Sequence, residues 1–411
     1  MDNVTHSIAG LLLAESMARL RARARSPEPA AHFGAIAAIS SMIAANLPDA
    51  DLFYSGLGGD RLGYMLHHRG HTHTVVIAIL GAVLLWAVVT LLWRWRAREW
   101  PGRGDARWLL ALLLAGTLSH LALDWTNSYG VHPFWPVDDR WRYGDAVFIV
   151  EPWLWVVSVP ALVAASASRV ARVLLSLVLL AGLILAWRVD LVSTGAALAL
   201  TTGAAVSVGF ARWLHADARA VVAIAGWMAV TVVMAMGAAR GRGSVVRATR
   251  ELDPGAELLD VVVSPLPANA VCLLAIAVER SGATYRVATA RVSSVPSALP
   301  AAGCGQRATV GSSLGPSSRR STSAVQWDRE WAAPSREVQM LVRESCPALA
   351  AMRFIRVPIW SAVGDSTVLL GDVRYGGGGS GFADVRVPRR SAGCPRGVPP
   401  WTPPRADLLG L

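Results

Sequence analysis

Up to about residue 240 the chain alternates long apolar runs with short arginine-rich breaks. Beyond that point it changes to short β-branched runs separated by Gly, Ser and Pro. Residues 8–20 form a short apolar-rich segment that ends in Arg19, Arg21, Arg23 and Arg25 and breaks at Pro27 and Pro29. Residues 32–47 are apolar, rich in small residues and stopped by Pro48. At about 1.5 Å per residue both fall short of a full bilayer crossing, which predicts half-buried helices packed inside a bundle, where small residues allow close approach. Residues 74–93 predict a transmembrane helix that ends in Arg94, Arg96, Arg98, Arg103 and Arg107, with Trp93, Trp95 and Trp100 as interface aromatics. Residues 108–123 return across and bring His120 and Asp124 at their end; a polar, aromatic loop follows to Asp145. Runs 147–165, 173–187, 191–210 and 221–236 complete the apolar set.

From about Ser244 the runs 245–246, 258–263, 270–278, 285–292, 352–359 and 366–373 predict short strands. The Pro-rich end, 395–411, predicts an extended or disordered tail. The fold class expected is a mainly α membrane helical bundle with a C-terminal, extracytoplasmic β-rich domain. Its parts are a helical domain over 1–165, additional transmembrane helices over 166–240, a β-rich soluble domain over 245–390 and a tail over 391–411.

Composition sharpens this picture. The chain has 411 residues, 53% hydrophobic and only 16% charged, and its net charge of +11 is carried almost entirely by arginine. The arginines lie between apolar runs, as cytoplasmic loops require, and no nucleic-acid module accompanies them, so nucleic acid is not an expected partner. The start, Met1-Asp2-Asn3, lacks the basic region of a cleavable signal peptide. If the segments alternate across the bilayer, the arginine clusters share one face, which the positive-inside rule makes cytoplasmic. His6, Asp49, Asp51, the stretch 67–73, His120, Asp124, Asp145 and Glu151 then share the opposite face. By the same count the C-terminal domain lies outside. Its four cysteines, Cys272, Cys304, Cys346 and Cys394, match no zinc pattern and suit either two disulfides or four separate thiols.

The chemistry gathers on that outer face. His120 and Asp124 are four apart on a helix and share one side, where they can bind one metal. Pro48-Asp49-Ala50-Asp51 offers two carboxylates two apart, and His67-His68-Arg69-Gly70-His71-Thr72-His73 is dense in imidazole. Within it His68 and His73 are the expected site residues, while His67 and His71 are as readily bystanders. Imidazole with carboxylate and no thiolate suits zinc, with manganese the other candidate. Arg69 is expected to hold an anionic group such as phosphate. Glu151 or Asp145 is expected as a last ligand or a general base. His32 reads as a core residue, His215 as irrelevant among arginines, and Glu15 as a partner for a nearby donor or a solvated acid. The tryptophans of the loop region, Trp125, Trp135, Trp141, Trp153 and Trp155, read as an interfacial belt more readily than as a substrate platform.

Four segments, Asp2-Asn3-Val4-Thr5-His6-Ser7, Pro48-Asp49-Ala50-Asp51, His68-Arg69-Gly70-His71-Thr72-His73 and His120-Leu121-Ala122-Leu123-Asp124, resemble in order the motifs of the bacterial membrane-bound metal-dependent hydrolases, a family whose best-known member is described as LexA-regulated. The resemblance covers roughly residues 1–160. That family is thought similar to zinc-dependent phospholipase C and P1 nuclease, which bind three zinc ions through His and Asp on helices. The resemblance therefore implies a phospholipase C/P1 nuclease-like helical core. It also implies His6, Asp51, His68 or His73, His120 and Asp124 as ligands. Two departures stand out: Thr74 where Ser is usual after the motif histidine, and Glu151 where Asp is common before Pro152.

The function expected is a metal-dependent hydrolase of the bacterial inner membrane, acting at the outer face on a phosphoester or lipid-linked substrate. The other reading is non-enzymatic: a metal-handling transporter, or a scaffold for the C-terminal domain. The bilayer is the expected partner; nothing in the sequence sets the oligomeric state.

Overall fold

A computed structural model describes residues 1–24, 32–55, 61–305, 314–379 and 381–410. Arg25, Pro27, Pro29 and the first part of the Ser-rich stretch from 312 lie outside the described residues. The N-terminal region is mostly helical and the C-terminal region is built on β-sheet.

The bundle comprises α1 (Asn3–Arg23), α2 (Phe33–Ala44), a 3-10 turn (Leu47–Asp51) leading into the short α3 (Leu52–Ser55) and α4 (Arg61–His67), then α5 (Val75–Ala97), α6 (Arg103–Trp125), α7 (Pro152–Ala165), α8 (Arg169–Arg188), α9 (Thr194–Trp213) and α10 (Ala216–Leu252). Among the described residues, α5, α6, α8, α9 and α10 are long and apolar enough to cross a membrane, and α2 with its bent continuation makes a sixth span if counted as one. α1 is longer than its apolar run: Asp2 caps it by accepting the Thr5 N–H at 2.9 Å, which starts the helix ahead of His6. His32 stands exposed at the start of α2 rather than in the core, because α2 begins only at Phe33. Glu15 pairs with Arg19 at 2.6 Å, one helical turn on.

Two glycines let the helices close up. A Cβ at Gly10 would lie 2.7 Å from the Ser41 carbonyl oxygen, and one at Gly116 would lie 3.0 Å from the Ala44 Cβ. α2 is thereby pressed between α1 and α6.

α10 departs most from expectation. Val245 and Val246, read as strand, are helical: no proline interrupts the run after Met236, and Gly237 and Gly241 let the helix close on Ala270 and Leu273. The helix has 37 residues, about 56 Å at 1.5 Å per residue, far beyond the ~30 Å of a hydrocarbon core. Its second half packs through Ala238, Val245 and Ala248 on a sheet.

That sheet has five antiparallel strands: β1 (Glu257–Leu266), β2 (Asn269–Ser281), β3 (Thr284–Ser293), β4 (Gly315–Pro316) and β5 (Val325–Pro334), in the order β1-β2-β3-β5-β4. α11 (Ser335–Glu344) and α12 (Cys346–Ala351) follow. A second sheet of β6 (Pro358–Val363), β7 (Thr367–Asp372) and β8 (Val385–Pro388) comes next. Only the end of the predicted strand 352–359 is strand, since α12 runs to Ala351 and a turn follows. Cys272 pairs with Cys304 and Cys346 with Cys394. The Pro-rich end is ordered: Trp401 is buried, and α13 (Ala406–Leu409) buries Leu408 and Leu409 in the core of the sheet region. That same core takes in Leu62, Met65 and Leu66 of α4 and Tyr129 and Trp141 of the loop after α6, so it reaches down to the helices that carry the histidines. Trp141 and Trp155 are buried rather than interfacial, and the Trp155 indole donates to Thr5 at 2.8 Å.

Candidate metal centre

Four chain segments meet at one end of the bundle. α6 supplies His120 and Asp124 in its last turns, facing inward by their spacing of four. The Ala45 carbonyl accepts a hydrogen bond from His120 Nδ1 at 2.7 Å. A carbonyl can only accept, so Nδ1 carries the proton and Nε2 is left as the donor atom for a metal. Nε2 faces Asp124 Oδ2 at 3.3 Å, Asp49 Oδ1 at 3.5 Å and His73 Nε2 at 3.1 Å.

His73, the last residue of a 3-10 turn just before α5, is oriented in the same way. Its Nδ1 faces Asp51 at 3.3 Å, while Nε2 faces Asp49 at 3.3 Å and Asp124 at 3.2 Å. Burial disfavours the charged imidazole, but its hydrogen bonds to Asp124, Asp49 and Asp51 outweigh this and push it up to about 10. His68 Nδ1 lies 3.1 Å from Asp51 Oδ1. Asp49, His73, His120 and Asp124 can each turn one ligand atom to within 4.8 Å of the others, and so can Asp49, Asp51 and His68. Asp49 belongs to both groups. His6 stacks on His120 with ring centroids 3.8 Å apart and brings Nε2 to 3.3 Å from Asp124.

All of these residues are buried; only Asp49, 8% exposed, and His68, 9% exposed, keep an edge toward solvent. Among the described residues His6 Nδ1 has no hydrogen-bond partner, and Asp124 Oδ2 meets only the Nε2 atoms of His73 and His120, at 3.2 and 3.3 Å. Three carboxylates crowded with imidazoles in a buried pocket, and a buried His6 nitrogen without a partner, fit a divalent cation.

Arg69 lies within the cluster. Its guanidinium donates to Asp124 Oδ1 and to Asn127 Oδ1, both at 3.0 Å, and covers the ring of Tyr129. Its backbone has φ +58, sparsely allowed for a side chain of this size, and Asp51 holds the turn by accepting the Arg69 N–H at 2.8 Å. Arg69 thus spends its charge on a carboxylate of the cluster.

Glu151 and Asp145 do not join the cluster. Glu151 caps α7, accepting the Trp153 N–H at 3.1 Å, and its other oxygen accepts the Ala268 N–H in the β1–β2 turn at 3.1 Å. Burial pushes its carboxyl up to about 7 against those two hydrogen bonds. Asp145 is held by Arg356 at 2.9 and 3.0 Å and by Arg242 at 2.5 Å, joining the loop after α6 to the C-terminal region. Both carboxylates serve as ties between the helices and the sheet region. His67 and His71 stay at the margin: His67 lies edge-on to Tyr54, and His71 lies edge-on to Trp135 and beside Trp401.

Sequence reasoning missed Asn127, Thr72, whose hydroxyl donates to Asp51 at 2.9 Å, and His132. The buried ring of His132 is stacked on Trp401. A lone Asn, Thr or His carries no periodic signal, and the Trp401 ring stacked on His132 comes from the far end of the chain. The Ala45 carbonyl, which sets the tautomer of His120, is invisible in any sequence.

Residues 1–194 match the family model described as YdjM inner membrane protein. This match, with the apolar helices, makes the chain a multi-pass protein of the inner membrane. It takes in every residue of the cluster and stops as α9 begins. No curated protein and no solved structure matches the chain.

Proposed function

We propose that the protein is a membrane-embedded metal-dependent hydrolase whose centre lies at the outer face of the membrane and acts on a phosphoester or lipid-linked substrate. The observation that carries this reading is Asp49, one carboxylate shared by two groups of potential ligands. Asp49, His73, His120 and Asp124 would hold one divalent ion, and Asp51 and His68, with Asp49, a second. Zinc is the preferred metal for this donor set and manganese the other candidate. A divalent ion there supplies Lewis acidity at a phosphoryl or acyl oxygen and a lowered pKa for an attacking water.

The protein's own residues do the rest. The Ala45 carbonyl and Asp51 orient the His120 and His73 rings, as outer-shell acceptors do in metal enzymes. Arg69 offsets the charge of Asp124, and His6 closes the inner wall. Asp49 and His68, the two with an exposed edge, face the side from which a substrate enters.

Placement at the outer face is supported by the arginine-rich ends of α1, α5 and α9, which lie at the other end of the helices, and by two disulfides in the region beside the cluster. His and Asp ligands borne on helices support the likeness to phospholipase C and P1 nuclease. Because the cluster sits at helix ends rather than midway along a span, it favours an enzyme over a transporter.

Purified protein loaded with zinc or manganese should hydrolyse a member of a phosphoester and phospholipid panel, lose that activity to a chelator and recover it with metal. Metal uptake into proteoliposomes with no hydrolysis across the panel would point instead to a transporter.

A further inference from the structure

A groove of about 620 Å³ runs between α7, α8 and α9, well away from the metal cluster and within the range of about 300–1,000 Å³ typical of ligand sites. Val163, Leu179, Leu183 and Val208 make its walls apolar, and Arg172 and Arg212 line one end. Arg172 belongs to the first turn of α8 and Arg212 to the last turn of α9, so both stand at the arginine-rich end of the bundle. No carboxylate lines the groove, and among the described residues neither guanidinium has an ion-pair partner. The lining of α8 from Arg172 to Leu183 rises about 16 Å, half of the ~30 Å hydrocarbon core and so the depth of one leaflet.

Arginines at a membrane surface are commonly simple anchors. Here, however, two of them stand at the mouth of a leaflet-deep apolar slot. A phosphate on a lipid fits that pairing: guanidinium groups bind it through charge-assisted hydrogen bonds while an acyl chain fills the slot. A second copy of the chain fits less well, because it would bring further arginines to this end. The carboxylate of Asp217, close to it in sequence, is already held by Arg23 at 3.0 Å.

We propose that this groove binds one anionic phospholipid of the adjoining leaflet, its phosphate on Arg172 and Arg212 and one acyl chain between α7, α8 and α9.

The test uses the full chain reconstituted into nanodiscs containing equal amounts of phosphatidylglycerol and phosphatidylethanolamine, then extracted into mild detergent and weighed by native mass spectrometry. The expected result is one retained phosphatidylglycerol, favoured about tenfold over phosphatidylethanolamine, the scale of a charge-assisted contact. The R172Q/R212Q variant should bring that ratio to about one, the value for no charge preference. Ala205→Trp, which fills the groove and leaves both charges, should lower retention of either lipid. Equal retention of the two lipids by the wild-type protein would overturn the proposal, and this comparison needs no variant to fold. An undiminished preference in R172Q/R212Q, or a lipid-free particle of doubled mass, would overturn it as well.

Discussion

Asp124 joins both histidines of the first ligand group to Arg69 and to the start of the chain. It faces His6, His73, His120, Arg69 and the Met1 nitrogen from full burial. Asp124→Asn should therefore do two things at once. It should strip bound metal, read as metal per chain by elemental mass spectrometry. It should also destabilise the fold by about 3–5 kcal/mol, the usual cost of leaving a buried charge such as Arg69 without its partner. His68→Ala should separate the two effects. His68 belongs only to the second group of ligands and retains some exposure, so its loss should lower metal content while shifting the melting temperature little. At this scale the sequence was most informative about ligands. His6, Asp49, Asp51, His68, His73, His120 and Asp124 all gather at one end of the bundle, and each lies at or near a helix end, which is what alternation of the helices could read. It was least informative about Glu151 and Asp145. Alternation puts them at the right end of the bundle but cannot say which of several acids turns inward, and their partners, Ala268 and Arg356, come from a region whose packing the pattern does not reveal.

Among the elements, α7 and α10 join the helices to the sheets. Glu151 ties the start of α7 to the β1–β2 turn with no cation beside it among the described residues. Because burial raises its carboxyl from 4.5 to about 7, the folded protein binds more protons than the unfolded chain between those values. Stability should therefore fall as pH rises from about 4.5 through about 7. Melting temperatures recorded across that interval should show a downward slope that Glu151→Gln removes. Arg356 makes the companion tie, bidentate to Asp145 and in contact with Asp260 at 2.8 Å. Arg356→Ala leaves the buried Asp145 to Arg242 alone and takes the nearest cation from the half-buried Asp260, and should cost about 1.5–3 kcal/mol in denaturant unfolding, with Asp145→Ala adding less than its separate effect. The long α5 and α6 were legible because a bilayer imposes both length and apolarity. The extent of α10 was not, because its second half is buried by the sheet rather than by lipid and so lost the uniform apolarity that marks a span.

For the whole molecule, the helices and the sheet region share one core around α4, the loop after α6 and the C-terminal segment that ends in α13. The Pro-rich tail is part of that core because Trp401 supplies a large ring beside His132, and composition alone gave no sign of it. The paired cysteines and the arginine-rich opposite end together place the sheet region, by our proposal, outside the cytoplasm. A reporter fused after the C-terminal helix should then read extracytoplasmic, and all four cysteines should resist maleimide in unreduced, denatured protein. A cytoplasmic reporter signal would reverse the orientation of the whole bundle. The central claim, a metal centre built by helix ends, is tested most directly by counting metal in full-length protein purified without chelator. The account predicts at least one tightly bound zinc or manganese per chain, lost in Asp49→Asn with the fold retained. Metal-free wild-type protein that takes up none on titration, or a metal content unchanged in Asp49→Asn, would contradict it.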